Sequence, residues 1–355
     1  MTDKLRLGVI GAGSWAVASH LPELTRRPEV EFVAVARKGP EMLERVKERF
    51  GFQVASEDYR AVIATGPDIC LVSSPSGLHY EHAKAALDAG AHVLVEKPVT
   101  IEPAHAWELV DLAERKGLHF VCSFGWNYRP MLVDAKRLYD ERGIGTVEQV
   151  VVTMSSTTRE LLSRTGSYPA ASPEARVDPE TWTNPALSGG GYGQAQLSHA
   201  LGLSLWLTGL RGASVFALMA RALDAPVELY DACAIRYTNG AVGVLSGGAA
   251  HAGFDGDRHQ LDVRIIGSEG QFLLDLQRPA VWLFRADSGE VRLPVEPGDG
   301  DYDCVGPPNA LVDLALGRDV VNRSPGWLGA RTVEILDAAY RSAAAGTIQE
   351  IVGAG

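Results

Sequence analysis

The chain has 355 residues, 46% hydrophobic and 22% charged, ordinary values for a soluble globular protein long enough for two domains. Forty-four acidic against 33 basic residues leave a formal charge of −11, a field that attracts neither nucleic acid nor an anionic membrane. Basic clusters such as Arg26-Arg27 stop after two residues, and no apolar run approaches the roughly 20 residues of a bilayer span. Cys70, Cys122, Cys233 and Cys304 lie far apart without a CxxC pair, so a reducing cytoplasm is expected rather than a zinc ribbon or a disulfide scaffold.

In chain order, Leu5-Arg6-Leu7-Gly8-Val9-Ile10 is short and apolar and predicts a buried parallel strand rather than a secretion signal. Gly11-Ala12-Gly13-Ser14-Trp15-Ala16 follows directly, a G-x-G-x-x-A turn opening a helical segment up to Pro22. Its first glycine permits the tight turn and its second lets the backbone approach a pyrophosphate, while a small residue at Ala16 allows close helix–strand packing. A second strand, Glu31-Phe32-Val33-Ala34-Val35, ends about twenty residues on, as a dinucleotide-binding βαβ unit requires. An NAD site usually keeps Asp or Glu after that strand, but the residues here are Ala36-Arg37-Lys38. A guanidinium pairs with the 2′-phosphate of NADP where a carboxylate repels it, so NADP is expected ahead of NAD; two solvated loop cations are the bland alternative.

A helix over 40–50, a short strand over 53–55, a helix over 58–64 and a strand over 69–73 continue the alternation. Ser74-Pro75-Ser76-Gly77-Leu78-His79 then forms a loop at a strand's carboxyl end and leads into a helix to Ala89, closed by Gly90. Ligands of doubly wound sheets sit at such ends, which places Ser74 and His79 beside the cofactor; helix capping is their other use. Residues 92–95 read as a strand ending in Glu96-Lys97-Pro98. A lysine before a proline is held extended. If desolvated it exchanges protons near neutral pH, and if salt-bridged it is a loop cation.

The second half changes character. A helix is expected over 130–142, ending at Gly143, and an alternating strand over 148–156. Residues 157–187 are rich in Ser, Pro and Thr and have no period, which reads as a substrate-side lid or an oligomer contact. Strand-like runs cover 215–220, 231–237, 241–247, 260–267, 271–276, 281–285 and 291–295, with turns at Asn239-Gly240 and Ser268-Glu269. Strands without intervening helices predict an antiparallel sheet, and a helix over 329–345 closes the chain. In the apolar helix after Gly191, Tyr192, Gln196 and His199 are four and three apart and share one face at α-helical pitch. A histidine on so apolar a helix is often a core residue.

Five stretches resemble the Gfo/Idh/MocA oxidoreductases, the glucose–fructose oxidoreductase and inositol dehydrogenase family. They are the run from Leu5 to Ala16, Ser73 to His79, Ala89 to Pro98, Phe124-Gly125-Trp126-Asn127-Tyr128-Arg129, and Gly189-Gly190-Gly191 followed by His199. The resemblance implies an α/β Rossmann domain with a doubly wound parallel sheet over residues 1–124. A domain built on a large, mainly antiparallel open sheet, carrying substrate and oligomerisation, would follow over 125–355. It also implies NAD(P)-dependent hydride exchange with a hydroxyl or keto carbon of a sugar, glycoside or cyclitol, in a homodimer or homotetramer. Lys97 and His199 would act at the reacting alcohol. With the turn and cation readings above, cofactor contacts are expected from Gly11, Gly13, Ser14, Trp15, Ala16, Arg37, Lys38, Ser74, Pro75, Leu78, His79, Glu96, Lys97 and Asn127. Substrate contacts are expected from Lys97, Tyr128, Arg129, Tyr192, Gln196 and His199.

One position departs from the family pattern, which commonly has an aspartate one turn before the histidine; counting from the glycine triplet puts Ala195 there. Alanine neither accepts a proton nor orients an imidazole, which leaves two further functions open: a non-redox glycoside-processing enzyme using bound NAD, or a catalytically weak NAD(P) sensor. No metal site is expected. Asp299-Gly300-Asp301-Tyr302-Asp303 opens like a calcium loop but has Cys304 and Ala310 where Gly and Glu are needed, and Asp255, Asp257 and His259 read as a polar turn.

Overall fold

The computed structural model describes residues 4–169 and 177–351. Six parallel strands form the first sheet: β1 (Leu5–Ile10), β2 (Val30–Ala36), β3 (Val54–Ser56), β4 (Ile69–Val72), β5 (His92–Val95) and β6 (Phe120–Cys122). Their order is β3-β2-β1-β4-β5-β6, so the chain reverses direction across the sheet between β1 and β4. A crevice for a ligand opens outside the carboxyl ends at such a reversal. Val9, Val72 and Val95 are fully buried, as strands covered by helices on both faces require. The helices Pro40–Phe50, Pro103–Lys116 and Pro130–Arg142 each begin on a proline and stop at Gly51, Gly117 and Gly143, whose φ values are positive. Proline is preorganised for a first helical turn and glycine ends the last one without strain.

The segment after the glycine turn departs from a plain α-helix, being a π-helix over Ala16–His20 followed by α-helix over Leu21–Leu24, through Pro22.

Nine strands make the second sheet: β7 (Val147–Ser156), β8 (Gly212–Ala220), β9 (Tyr230–Tyr237), β10 (Val242–Ala249), β11 (Gln260–Gly267), β12 (Gly270–Asp275), β13 (Ala280–Arg285), β14 (Gly289–Arg292) and β15 (Gln349–Glu350). The order is β14-β13-β12-β11-β7-β10-β9-β8-β15, antiparallel except where β7 pairs with β10. That parallel pair exists because the chain leaves the sheet after β7 to build helices and returns by way of β8 and β9. Val152, Leu245, Val263 and Ile265 line its buried face beneath the helices Ser198–Thr208 and Gly326–Ala345. On the opposite face Phe216, Leu218, Val242, Val244 and Ile266 are exposed.

The chain then recrosses to the first layer. Helix Gly306–Ala315 packs Leu311 and Val312 into the cluster that holds Val9, Leu94 and Val121, and Asp313 pairs with Arg27 at 2.5 Å. No periodicity in the sequence announces this return, because the contacts that drive it are some 280 residues apart. Among the described residues no helix is long and apolar enough to cross a membrane.

Candidate active site

The glycine turn lies against the loop after β4. Gly11 has φ +88°, and a Cβ there would run into the backbone of Ser73 and Ser74, so only glycine closes the turn. At Gly13 nothing but the Gly11 carbonyl, 3.9 Å away, stands in front of the Cβ position, which leaves the backbone open to approach. Ala16 is fully buried at the strand–helix junction, while Ser14 and Trp15 stay half-buried at the mouth. Arg37, just past β2, lies over this turn: its guanidinium donates to the Ala12 carbonyl at 3.1 Å and to the Lys38 carbonyl at 3.2 Å. Lys38 is exposed beside it. An open glycine backbone, free donors at a helix start and two cations at the strand end suit a dinucleotide.

The loop after β4 is stapled from inside. The buried His79 ring has Nε2 2.7 Å from the Ser74 carbonyl and Nδ1 2.8 Å from the Pro98 carbonyl, so it joins two cofactor-side loops rather than facing a ligand. Ser74 Oγ is likewise taken by His82 Nδ1 at 2.8 Å. Pro75 is half-buried and Leu78 exposed on the loop surface.

Beyond β5, Glu96 and Lys97 point to different places. Glu96 is buried and meets His20 Nε2 at 2.5 Å; burial favours its neutral form, but the bond to His20 outweighs this and holds its pKa below the usual range. Ligand atoms of His20, Glu96 and Cys304 lie within 4.8 Å of one another, with imidazole and carboxylate bonded directly to each other. Lys97 reaches across the crevice, its Nζ donating to the Ala195 carbonyl at 2.7 Å and standing 5.9 Å from the Trp182 ring centre. Burial pulls its pKa down, partly opposed by Glu96. Trp182 belongs to helix Glu180–Thr183 inside the period-free stretch, whose residues 170–176 lie outside the described residues.

The glycine triplet lets the chain nest against a buried acid. Glu228 Oε1 accepts from the Gly191 and Gly193 amides at 2.8 and 3.2 Å and from the Tyr340 hydroxyl at 2.6 Å. A Cβ at Gly190 would enter the Tyr340 ring, and one at Gly191 the Glu228 backbone. The next turn, Gly193–Leu197, is a π-helix, not an α-helix. In its i→i+5 turn the α-helical count of four and three does not carry from Tyr192 through to His199. Tyr192 is fully buried instead, donating to the Met154 carbonyl at 3.3 Å and accepting from Ser156 Oγ at 3.2 Å, away from the crevice.

His199, 7% exposed, has its ring edge-on to Trp126 and Tyr302, with centroids 5.5 and 5.0 Å away. Burial, then the nearby Lys97 and His259, hold its pKa well below the ordinary value. His199 Nδ1, Gln194 Oε1 and Gln196 Oε1 are buried without hydrogen-bond partners. Buried polar atoms are normally paired, so these three fit a site completed by a ligand.

Tyr128 and Arg129 lie where the returning C-terminal chain meets the crevice. That chain engages them: Tyr128 bonds Asn322 and Ser324 at 3.3 and 3.1 Å, and Arg129 pairs with Asp303 and reaches the carbonyls of Gly298 and Asp299, while its Nε stays buried without a partner. Asn127 donates to the Arg323 carbonyl at 3.0 Å but leaves Oδ1 buried and unpartnered. That same segment delivers Tyr302, which the residue patterns did not single out. Only a contact across 103 residues puts it beside His199.

Residues 5–124 match the sequence model described as "Oxidoreductase family, NAD-binding Rossmann fold", and residues 132–273 match that of the "GFO/IDH/MocA C-terminal domain". The chain belongs to the Gfo/Idh/MocA family. It is 32% identical over 159 residues to D-glucoside 3-dehydrogenase of Escherichia coli (strain K12), covering 44% of each chain. With levoglucosan dehydrogenase of Pseudarthrobacter phenanthrenivorans it shares 26% identity over 314 residues, 78% of this chain and 75% of that one. The chain spans half or less of several curated relatives it matches, 44, 50 and 36% of three of them. Among solved structures, GenD2 from gentamicin A biosynthesis in complex with NAD superposes with a TM-score of 0.78 at 26% identity, over 99% of this chain and 98% of that one.

Proposed function

We propose that the protein is an NAD(P)-dependent oxidoreductase that moves hydride between nicotinamide and a hydroxyl or keto carbon of a sugar, glycoside or cyclitol. The observation that carries this is the convergence of Lys97 and His199 on one crevice. The Lys97 amine is bonded to the backbone one turn before His199, and the glycine turn lies at the carboxyl end of the same sheet, against the loop after β4. A nicotinamide, when bound, supplies the hydride acceptor or donor.

The chain's own residues then handle the hydroxyl proton. Lys97, with its pKa lowered by burial, gives up and regains a proton at Nζ more readily than a surface lysine. His199 stays neutral near pH 7 and so keeps one ring nitrogen as an acceptor for the hydroxyl. Trp126, Tyr302 and Trp182 wall the crevice against water. In place of the family's aspartate, the Ala195 main-chain carbonyl orients the lysine without adding charge, which supports the redox reading over that of a weak sensor.

The position of Arg37 over the glycine turn supports NADP as the preferred cofactor, with NAD as the alternative. The exposed apolar face of the second sheet supports a homodimer or homotetramer joined through it, and four free cysteines support a cytoplasmic location. Purified protein mixed with NAD⁺ or NADP⁺ and a panel of sugars, glycosides and inositols is expected to yield reduced nicotinamide with at least one of them. Absence of net reduction with every combination, in protein that binds the nucleotide, removes the dehydrogenase reading.

A further inference from the structure

His259 stands just before β11, on the far side of the crevice from the first sheet. It follows a turn in which Gly253, Asp255, Gly256 and Asp257 all have positive φ, a conformation that two aspartates adopt only at a cost. The turn is fixed by its own bonds: Asp257 Oδ1 accepts from the Gly253 amide at 2.6 Å, and Asp255 Oδ2 from Gln277 Nε2 at 2.9 Å. The ring it delivers lies edge-on to Trp126 and Tyr302, with centroids 5.5 and 6.0 Å away. These are the two rings that also flank His199. Two histidines from different elements therefore converge on one aromatic pair, and each has a buried Nδ1 without a partner.

The chemistry around them is uncharged apart from Lys97. Glu96 is turned to His20, and the terminal nitrogens of Arg129 are turned to Asp303 and to the Gly298 and Asp299 carbonyls. Burial, then Lys97, lowers the His259 pKa to about 4, which keeps this imidazole neutral as well. Two unpartnered imidazole nitrogens beside the half-buried Tyr302 ring match a pyranose, whose hydroxyls need partners while its C–H face packs on a ring.

We infer that His259 is a substrate-binding residue that holds the hydroxyl next to the one at His199, so that the pocket selects a neutral vicinal diol. The inference rests on the proposed sugar-binding reading of the site and deepens it. It assigns to the turn over Phe254–Asp257 the task of setting which hydroxyl pattern is accepted.

Calorimetric titration of methyl α-D-glucopyranoside and its 2-, 3- and 4-deoxy analogues into NADH-saturated protein tests it, because an alcohol with reduced nucleotide binds without reacting. The wild type is expected to bind the parent glucoside. His259→Ala should weaken that binding at least tenfold, yet change binding of one deoxy analogue, the one lacking the contacted hydroxyl, by less than twofold. His259→Asn, which keeps a donor and an acceptor, should return affinity for the parent to within threefold of wild type. NADH affinity unchanged in both variants shows that they are folded. Equal weakening for the parent and all three analogues, no weakening at all, or wild type that binds none of the four overturns the inference. Binding that follows the expected pattern without turnover in the oxidised direction leaves the inference standing and removes only the dehydrogenase reading.

Discussion

Asp231, on β9 beneath the glycine triplet, is 3% exposed, and neither carboxylate oxygen has a hydrogen-bond partner. Burial and the neighbouring Glu228 push its pKa up to about 8. The unfolded chain releases this proton near pH 4, so between pH 4 and 8 the folded state holds more protons than the unfolded state. Stability from this group is therefore complete below pH 4 and falls as pH rises towards 8. Over the three units from pH 4 to 7, at ~1.36 kcal/mol per unit, the loss is about 4 kcal/mol. Asp231→Asn keeps the shape and removes the titration. Scanning calorimetry of both proteins from pH 5 to pH 8 is expected to show the variant gaining on wild type as pH rises, reaching an advantage of about 3–8 °C in Tm at pH 8. A difference between the two proteins that stays constant across the range, or that favours wild type at high pH, refutes the reasoning.

Three further substitutions probe the site. Lys97→Ala should lower kcat by about 10²-fold or more while leaving nucleotide affinity within threefold, as separate turnover and fluorescence titrations would record; turnover within about threefold of wild type, roughly 0.7 kcal/mol, contradicts its role. His199→Ala should cut kcat far more than it lowers Tm, and an unfolded variant with normal specific activity in its folded fraction would make the histidine a core residue instead. Arg37→Asp should narrow or reverse the preference for NADP by roughly ten- to hundredfold, the worth of one charge-assisted contact; equal dissociation constants for both nucleotides, unchanged in Arg37→Ala, show that this cation reads nothing.

Much of the fold was legible because its signals are local. Helices Pro40–Phe50 and Pro130–Arg142 and strands His92–Val95 and Gln260–Gly267 fall where their residue patterns place them. Helix Pro103–Lys116, strand β6 and helix Gly306–Ala315 went unread. The placement of the glycine turn, Lys97 and His199 near one crevice was legible, since each sits in a motif whose spacing sets its geometry; their roles there are the proposal. Tyr192 was misplaced because residue counting assumes α-helical pitch, and nothing in Gly193-Gln194-Ala195-Gln196-Leu197 signals a π turn. The placement of Tyr302 and His259 beside His199 and Trp126 could not be read, because it is the returning chain and a turn with left-handed aspartates that bring them there.

The central claim is that hydride leaves a carbinol carbon for nicotinamide at the Lys97–His199 crevice. Its most direct test uses the sugar from the panel that reduces nucleotide, deuterated at its carbinol carbons one at a time, with mass spectrometry of the recovered nucleotide. Deuterium is expected in the nicotinamide from a single labelled carbon in the wild type, with the transfer all but lost in Lys97→Ala. Product formed with every label kept in the sugar or lost to water, and none in the nucleotide, would contradict the account.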